Sequence, residues 1–372
     1  MVKKIVKIIY NLIFPSVKKD FSIQDYDDSY KIKKYPPVTF IIPARNEEKS
    51  IEKCIKAIIY DNYFGTEIIV LDDVSSDNTV NIVQKLQKKY SKKKGLLIKL
   101  VLNEQRLGPS PNRNKAGKMA SGEILIMFDA HSIINSKNFV KTYLKYFADP
   151  KVGAVAGGRS WQPKYYQDQV LFYAGGLRPW KEMGFQFLDN PNAAYRKKVF
   201  NEMGGIDTHI VWGSDLSSTF KVLGLGYKIP VAPDASIEID HAITPNRKTD
   251  FIRKPFLYGT NIVYLLNEHF KWLIKRRVDV IIVGGGLVNL TAIILFLIMP
   301  QLWFLPVATI SILRLHSIVF SLINKAPIKY IIGIPFILTI SEISYAVGFL
   351  VGIFRKIFGL KSWGYSQKRK NV

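Results

Sequence analysis

Cysteine is nearly absent from this 372-residue chain, in which Cys54 stands alone. No intrachain disulfide framework and no thiolate metal site can therefore form. The lone thiol falls in Ile51-Glu52-Lys53-Cys54-Ile55-Lys56-Ala57-Ile58, where apolar residues recur at helical spacing, so a buried core position is predicted. Acidic residues are also few. Against 53 Lys+Arg there are 29 Asp+Glu, a net charge of +24 that suits anionic partners. No recognisable nucleic-acid module accompanies the charge, so nucleic acid is not an expected partner. Long charge-free apolar runs are missing until about Asp279 and dominate afterwards, which predicts a soluble region followed by a membrane region.

The basic residues cluster beside apolar segments, at Lys3, Lys4 and Lys7, at Lys271, Lys275, Arg276 and Arg277, and at Lys368, Arg369 and Lys370. That placement points to anionic headgroups on the cytoplasmic face of the cell membrane. The run from Ile5 to Phe14 is too short to span and lacks a small-residue cleavage site, so an interfacial helix is expected rather than a signal peptide. Between Ile243 and Arg277 aromatic residues alternate with cations, the pattern of a segment lying in the membrane interface. Candidate spans follow near Val280–Met299, Leu302–Ile323 and Tyr330–Phe354. Three crossings would strand the basic tail outside, so either the last span is a hairpin broken near Gly333-Ile334-Pro335 or the positive-inside tendency fails. Arg314 and Glu342 are the charges within these spans and are expected to pair.

Before the membrane region, short β-rich runs alternate with helical patterns. Strands are predicted at Val38–Ile42, Glu67–Leu71, Ile98–Leu102 and Glu123–Phe128, and helices at Lys49–Ile59 and Thr79–Tyr90. This order implies an α/β domain with a mostly parallel sheet covered on both faces, whose ligands sit beyond the carboxyl ends of the strands. The residues there are Pro43-Ala44-Arg45-Asn46-Glu47-Glu48, Asp72-Asp73-Val74-Ser75-Ser76-Asp77 and Asp129-Ala130-His131. Taken alone, Asp77 reads as a helix cap and Glu47 as a first-turn carboxylate. Together they outline a site. Asp129 and His131, two residues apart in extended backbone, can share one divalent ion through an oxygen and an imidazole nitrogen.

These segments, with Arg113-Asn114 and Gly122-Glu123-Ile124-Leu125-Ile126-Met127-Phe128-Asp129-Ala130-His131, resemble the family 2 glycosyltransferases of GT-A fold over roughly Val38 to His241. The Asp-Ala-His triplet resembles the succinoglycan-type glucosyltransferase subgroup. The resemblance implies that Pro43, Arg45, Asn46 and Glu47 border the nucleotide, that Asp72 and Asp73 contact uracil or ribose, and that Arg113 and Asp129 approach the diphosphate. It also implies Mn2+ or Mg2+ as cofactor, with Asp129 and His131 as ligands. His241 either completes that metal site or is a structural histidine. Trp212-Gly213-Ser214-Asp215 falls where the family usually has Glu-Asp, which makes Asp215 the candidate general base and Ser214 a departure. The triplet itself departs from the family in ending on histidine rather than aspartate.

The expected organisation is an interfacial helix and linker over 1–36, a GT-A domain over 37–243, an amphipathic interface segment over 244–278, two or three transmembrane helices over 279–356 and a basic tail over 357–372. The expected protein is a multi-pass enzyme with its catalytic domain facing the cytoplasm. It would invert the anomeric centre while moving one sugar from a nucleotide-diphosphate donor, UDP-hexose by resemblance, to a lipid-linked saccharide in glycan biosynthesis. Its rivals are a polyprenyl-phosphate sugar synthase and a non-catalytic nucleotide-sugar-binding relative. A processive synthase is disfavoured because its Gln-x-x-Arg-Trp marker is absent.

Overall fold

A computed structural model describes residues 27–362 apart from 28, 33, 161–165, 174–187, 240–247, 277 and 324. The expected interfacial helix, most of the basic tail and His241 lie outside the described residues.

The first strands are β1 (Val38–Ala44), β2 (Thr66–Asp72), β3 (Leu96–Leu102) and β4 (Ile124–Phe128), all mutually parallel. Between them run α1 (Ile51–Tyr60), α2 (Thr79–Tyr90) and α3 (Pro109–Met119). Because side chains alternate along a strand, Phe40 and Ile42 face one side of the sheet and Ile41 the other. The first face packs on Ile51, Ile55 and Ile58 of α1, and the second on Ala116 of α3. A strand covered on both faces must be apolar throughout, which is why Val38–Ile42 and Ile124–Phe128 read as continuous apolar runs.

The chain then reverses. After β5 (Ser132–Ile134), α4 (Phe139–Tyr146), β6 (Ala154–Ser160) and α5 (Tyr166–Tyr173), strand β7 (Asn192–Arg196) inserts antiparallel between β4 and β6. Next come α6 (Lys197–Glu202), α7 (Ser214–Gly224) and β8 (Val231–Ile239), giving one sheet in the order β3-β2-β1-β4-β7-β6-β8-β5. The expected mostly parallel α/β sheet is therefore mixed, and β7 sets the polarity change beside β4.

Four helices follow: α8 (Asp250–Arg276), α9 (Val278–Ile298), α10 (Phe304–Ile323) and α11 (Ile328–Ile357). Among the described residues, α11 alone is long and apolar enough to cross a membrane; Ile282–Ile298 and Pro300–Leu315 are shorter apolar stretches. Of the two alternatives for the last span, the break near Gly333-Ile334-Pro335 does not occur, since α11 runs through Pro335 without interruption. Packing explains this. The absent side chain of Gly333 admits Tyr166 and Val170 of α5, and Tyr330, Ile334 and Val170 form one buried cluster that supports the turn weakened by proline. Arg314 and Glu342 pair as expected, with Arg314 Nη1 donating to Glu342 Oε1 at 2.8 Å and Arg314 Nε to Thr339 Oγ1 at 3.2 Å.

Helix α8 joins this region to the sheet domain. Its crossing with α11 is closed by glycine: a side chain on Gly259 would strike the Tyr345 carbonyl, one on Gly348 the Phe256 carbonyl, and one on Gly352 the Thr260 carbonyl. Ser344 Oγ also donates to the Ile252 carbonyl at 2.7 Å.

Candidate active site

The carboxyl ends of β1, β2 and β4 open into a cleft of about 480 Å³ lined by Pro43, Arg45, Glu47, Asp73, Arg113, Asp129, His131 and Asp215, among others. Eight of the predicted site residues are thus brought together. Asn46 and Asp72 do not line the cleft. Asn46, at φ 54°, ties the loops after β1 and β2 together by accepting the Ser76 N–H at 2.8 Å and donating its own N–H to Ser75 Oγ at 3.0 Å. Asp72 accepts the Ser75 N–H at 2.9 Å, and its second oxygen is buried without a partner. Asp77 is a local brace that accepts from Thr79 and from the Glu48 N–H, in accord with its reading as a cap.

Asp73 reaches the cleft but uses its carboxylate on protein. It accepts the N–H groups of Leu107 at 2.7 Å and Gly108 at 2.9 Å, and the Asn103 amide at 3.2 Å. Burial alone would raise its pKa, yet these donors outweigh that and hold it below the usual carboxylate range. The result is a fixed loop leading into α3, whose second turn carries Arg113.

Arg113 is buried and its guanidinium bonds Asp129 directly. His131 Nδ1 lies 3.2 Å from Glu47 Oε1, and its Nε2 lies 3.8 Å from Asp129 Oδ2. Glu47 is further fixed by Ser50 Oγ at 2.6 Å. Part of the cleft lining is therefore a row Arg113–Asp129–His131–Glu47 in which basic and carboxylate side chains alternate. The Nε atoms of Arg45 and Arg113 are buried without partners, which leaves cationic N–H donors in the cleft for an anionic ligand. Two carboxylates flanking an imidazole also match a hard to borderline divalent cation. Among the described residues, the only three His, Asp or Glu side chains whose ligand atoms lie within 4.8 Å of one another are Asp207, Glu268 and His269. They do not line this cleft, and Asp207 already bonds Lys221 and Ser217.

Asp215 lines the same cleft. Gly213, at φ 102°, adopts a left-handed turn that a side chain would strain, and it sets Asp215 in the first turn of α7. Two side chains hold it. Tyr195 on β7 donates to Asn190 Oδ1 at 2.9 Å, and Asn190 Nδ2 donates to Asp215 Oδ1. Asp189 is buried beside them. Protein surrounds Asp215 except toward the cleft, so desolvation, reinforced by the Asp189 charge and opposed by Arg113, pushes its pKa up to about 7. A carboxylate so poised can take a proton near neutrality. Trp212 and Tyr258 complete the cleft, and Tyr258 comes from α8. Asn190 and Tyr195 sit in an otherwise ordinary strand approach, and their only sequence signal was the polar pair Asp189-Asn190 before an apolar strand.

Residues 39–204 match the family model described as glycosyl transferase family 2. That stretch of the chain is similar to family 2 glycosyltransferases. The chain is 28% identical over 219 residues to a probable glycosyltransferase of Bacillus subtilis, YdaM, covering 55% of this chain and 50% of that protein. It is 27% identical over 236 residues to a Methanococcus voltae glucuronosyltransferase named for dolichyl N-acetyl-alpha-D-glucosaminyl phosphate, covering 60% and 71%. The chain thus spans about half the length of the Bacillus relative. Among solved structures, a mannosyltransferase from Pyrobaculum calidifontis in complex with GDP-Man and Mn2+ superposes with a TM-score of 0.57 at 19% identity, over 93% of this chain and 94% of that one. At that identity the likeness bears on the fold, which is a GT-A-like mixed α/β sheet.

Proposed function

We propose that this chain is a membrane-attached, inverting glycosyltransferase that moves one sugar from a nucleoside-diphosphate donor to a hydroxyl of a lipid-linked saccharide. The observation that carries the reading is that one cleft brings together the cations Arg45 and Arg113 and a poised carboxylate at Asp215. Pro43, Arg45 and Glu47 border the nucleotide, and Arg113 takes the diphosphate. Asp72, Asp73 and Asn46 act from behind by fixing the loops that shape this end of the cleft. Asp129 and His131 fit Mn2+ or Mg2+, whose charge when bound would neutralise the departing diphosphate. His241, outside the described residues, is a candidate third ligand through the family resemblance alone.

Asp215 removes the acceptor hydroxyl proton as that oxygen forms a bond to the anomeric carbon and the bond from that carbon to the diphosphate oxygen breaks. No second carboxylate is assigned as a covalent nucleophile, so one displacement inverts the centre. The acceptor's lipid carrier is supported by α11, by the crossing that ties it to α8, and by the relative whose name specifies a dolichyl phosphate-linked sugar. A cell-membrane enzyme with its cleft toward the cytoplasm, where nucleotide sugars are made, accords with that acceptor, and the succinoglycan-type resemblance points to UDP-hexose as donor. Direct transfer to polyprenyl phosphate is the lesser reading, because its acceptor oxygen is already anionic and has little use for the base at Asp215. The anomeric configuration of product from purified protein tests the mechanism: inversion is expected, and a retained linkage refutes it.

A further inference from the structure

Trp212 and Tyr258 meet edge to face, with ring centroids 5.5 Å apart, at the Asp215 end of the cleft. Tyr258 is 43% exposed and can offer ring surface to a ligand. The Arg253 guanidinium carbon lies 5.8 Å from the Trp212 indole centroid. Arg253 is held there by Asp250 Oδ1 at 3.3 Å while its side chain stays 42% exposed. Arg253 and Tyr258 both belong to α8, the helix clamped by glycine contacts against α11. At this part of the cleft the fold therefore brings together an aromatic pair and a guanidinium, on or against the helix that packs on the apolar α11.

We infer that Trp212, Tyr258 and Arg253 form the acceptor subsite: the ring pair stacks the acceptor sugar while Arg253 receives the phosphate that joins that sugar to its lipid. This rests on the transferase reading of the cleft and deepens it by assigning the acceptor's phosphate to one residue. The juxtaposition of chemistries is the argument. Stacking on rings selects a sugar face, a guanidinium matches phosphate oxygens in bidentate fashion, and an apolar helix leads the chain toward lipid.

The test is equilibrium binding to the full chain in phosphatidylcholine nanodiscs, with farnesyl-diphosphate-linked hexoses, the matching phosphate-free farnesyl hexosides, and the nucleotides UDP and GDP as probes. Arg253→Ala should weaken the diphosphate-linked probes about tenfold, a loss of about 1.4 kcal/mol, and leave the phosphate-free probes unchanged. Trp212→Ala and Tyr258→Ala should weaken both sugar probes, whereas Trp212→Phe and Tyr258→Phe, which keep a ring, should retain them. No variant should change nucleotide binding. Equal loss of both probe types in Arg253→Ala, or no loss in any variant, overturns the inference. If Arg253 serves membrane headgroups instead, its loss lowers attachment to phosphatidylglycerol vesicles and leaves the probe ratio unchanged, which also overturns it. Wild-type protein that binds the lipid probes but neither nucleotide would sink the donor reading while leaving this subsite standing.

Discussion

Arg113 bonds Asp129 across the floor of the cleft, so the cation assigned to the donor's diphosphate and the carboxylate assigned to its metal hold each other. An ion pair of this kind keeps both groups in place, because either one buried alone would carry a large desolvation cost. It also makes them competitors. Replacing Arg113 with Ala should tighten Mn2+ binding, since Asp129 loses a competing cation, while lowering turnover by about 10²-fold or more through loss of diphosphate stabilisation. Metal titration beside steady-state rates separates the two effects, and weaker metal binding in the variant would contradict the assignment.

Asp215, with its pKa pushed up to about 7 by burial and by Asp189, makes a pH prediction with two opposite signs. Turnover needs the carboxylate, so it should rise about tenfold per pH unit below 7 and flatten above. Stability runs the other way. A carboxyl whose folded pKa is raised holds its proton better when folded, so its contribution is full below the ordinary carboxylate range and is lost as pH rises through about 7. Asp215→Asn should lower turnover about 10³-fold, keep nucleotide binding, and gain thermal stability relative to wild type as pH rises from 4 to 7. Asn190→Ala removes a donor to the carboxylate and should move the activity limb to higher pH.

Asp73 should matter to the loop more than to any direct ligand contact. Asp73→Ala leaves the Leu107 and Gly108 N–H groups without their acceptor and should cost about 1–3 kcal/mol in denaturant unfolding. Because its folded pKa is depressed, that contribution is present above the ordinary carboxylate range and fades as pH falls below it. Full stability in the variant would show that the loop is held by other means.

The α8–α11 crossing predicts a distant effect on acceptor use. Gly348→Leu forces a side chain against the Phe256 carbonyl and should destabilise the chain by about 1–3 kcal/mol. By displacing the helix that carries Tyr258, it should raise the half-saturating acceptor concentration more than that of the donor. Equal effects on both substrates would uncouple the crossing from the subsite.

The parallel half of the sheet was legible because strands buried on both faces leave apolar runs, and Thr79–Tyr90 agrees with the predicted helix at both ends. Six residues of the cleft, Pro43, Arg45, Glu47, Asp73, Asp129 and His131, were legible because in such sheets the site follows the strand ends, whereas Arg113 and Asp215 lie on helices and came only through the family resemblance. Asn46 and Asp72 were assigned to the nucleotide because loop polarity looks the same whether a side chain faces a ligand or braces a neighbouring loop. Asn190, Tyr195 and Tyr258 escaped notice for a different reason. Each acts through a contact distant in sequence, Tyr258 from a helix that follows the whole sheet, and no local pattern records where an antiparallel strand or a late helix will dock. The sequence left open whether the chain breaks near Pro335, because local helix-breaking tendency cannot register the packing of α5 that supports that turn.

Release of nucleoside diphosphate from a panel of nucleotide sugars, with and without Mn2+ or Mg2+, tests the central claim most directly when wild type is run beside Asp129→Ala and Asp215→Asn. The account predicts metal-dependent cleavage of one donor in wild type, none in Asp129→Ala, and donor binding without turnover in Asp215→Asn. Cleavage that persists in Asp129→Ala, or a wild-type protein that binds no nucleotide sugar, would contradict it.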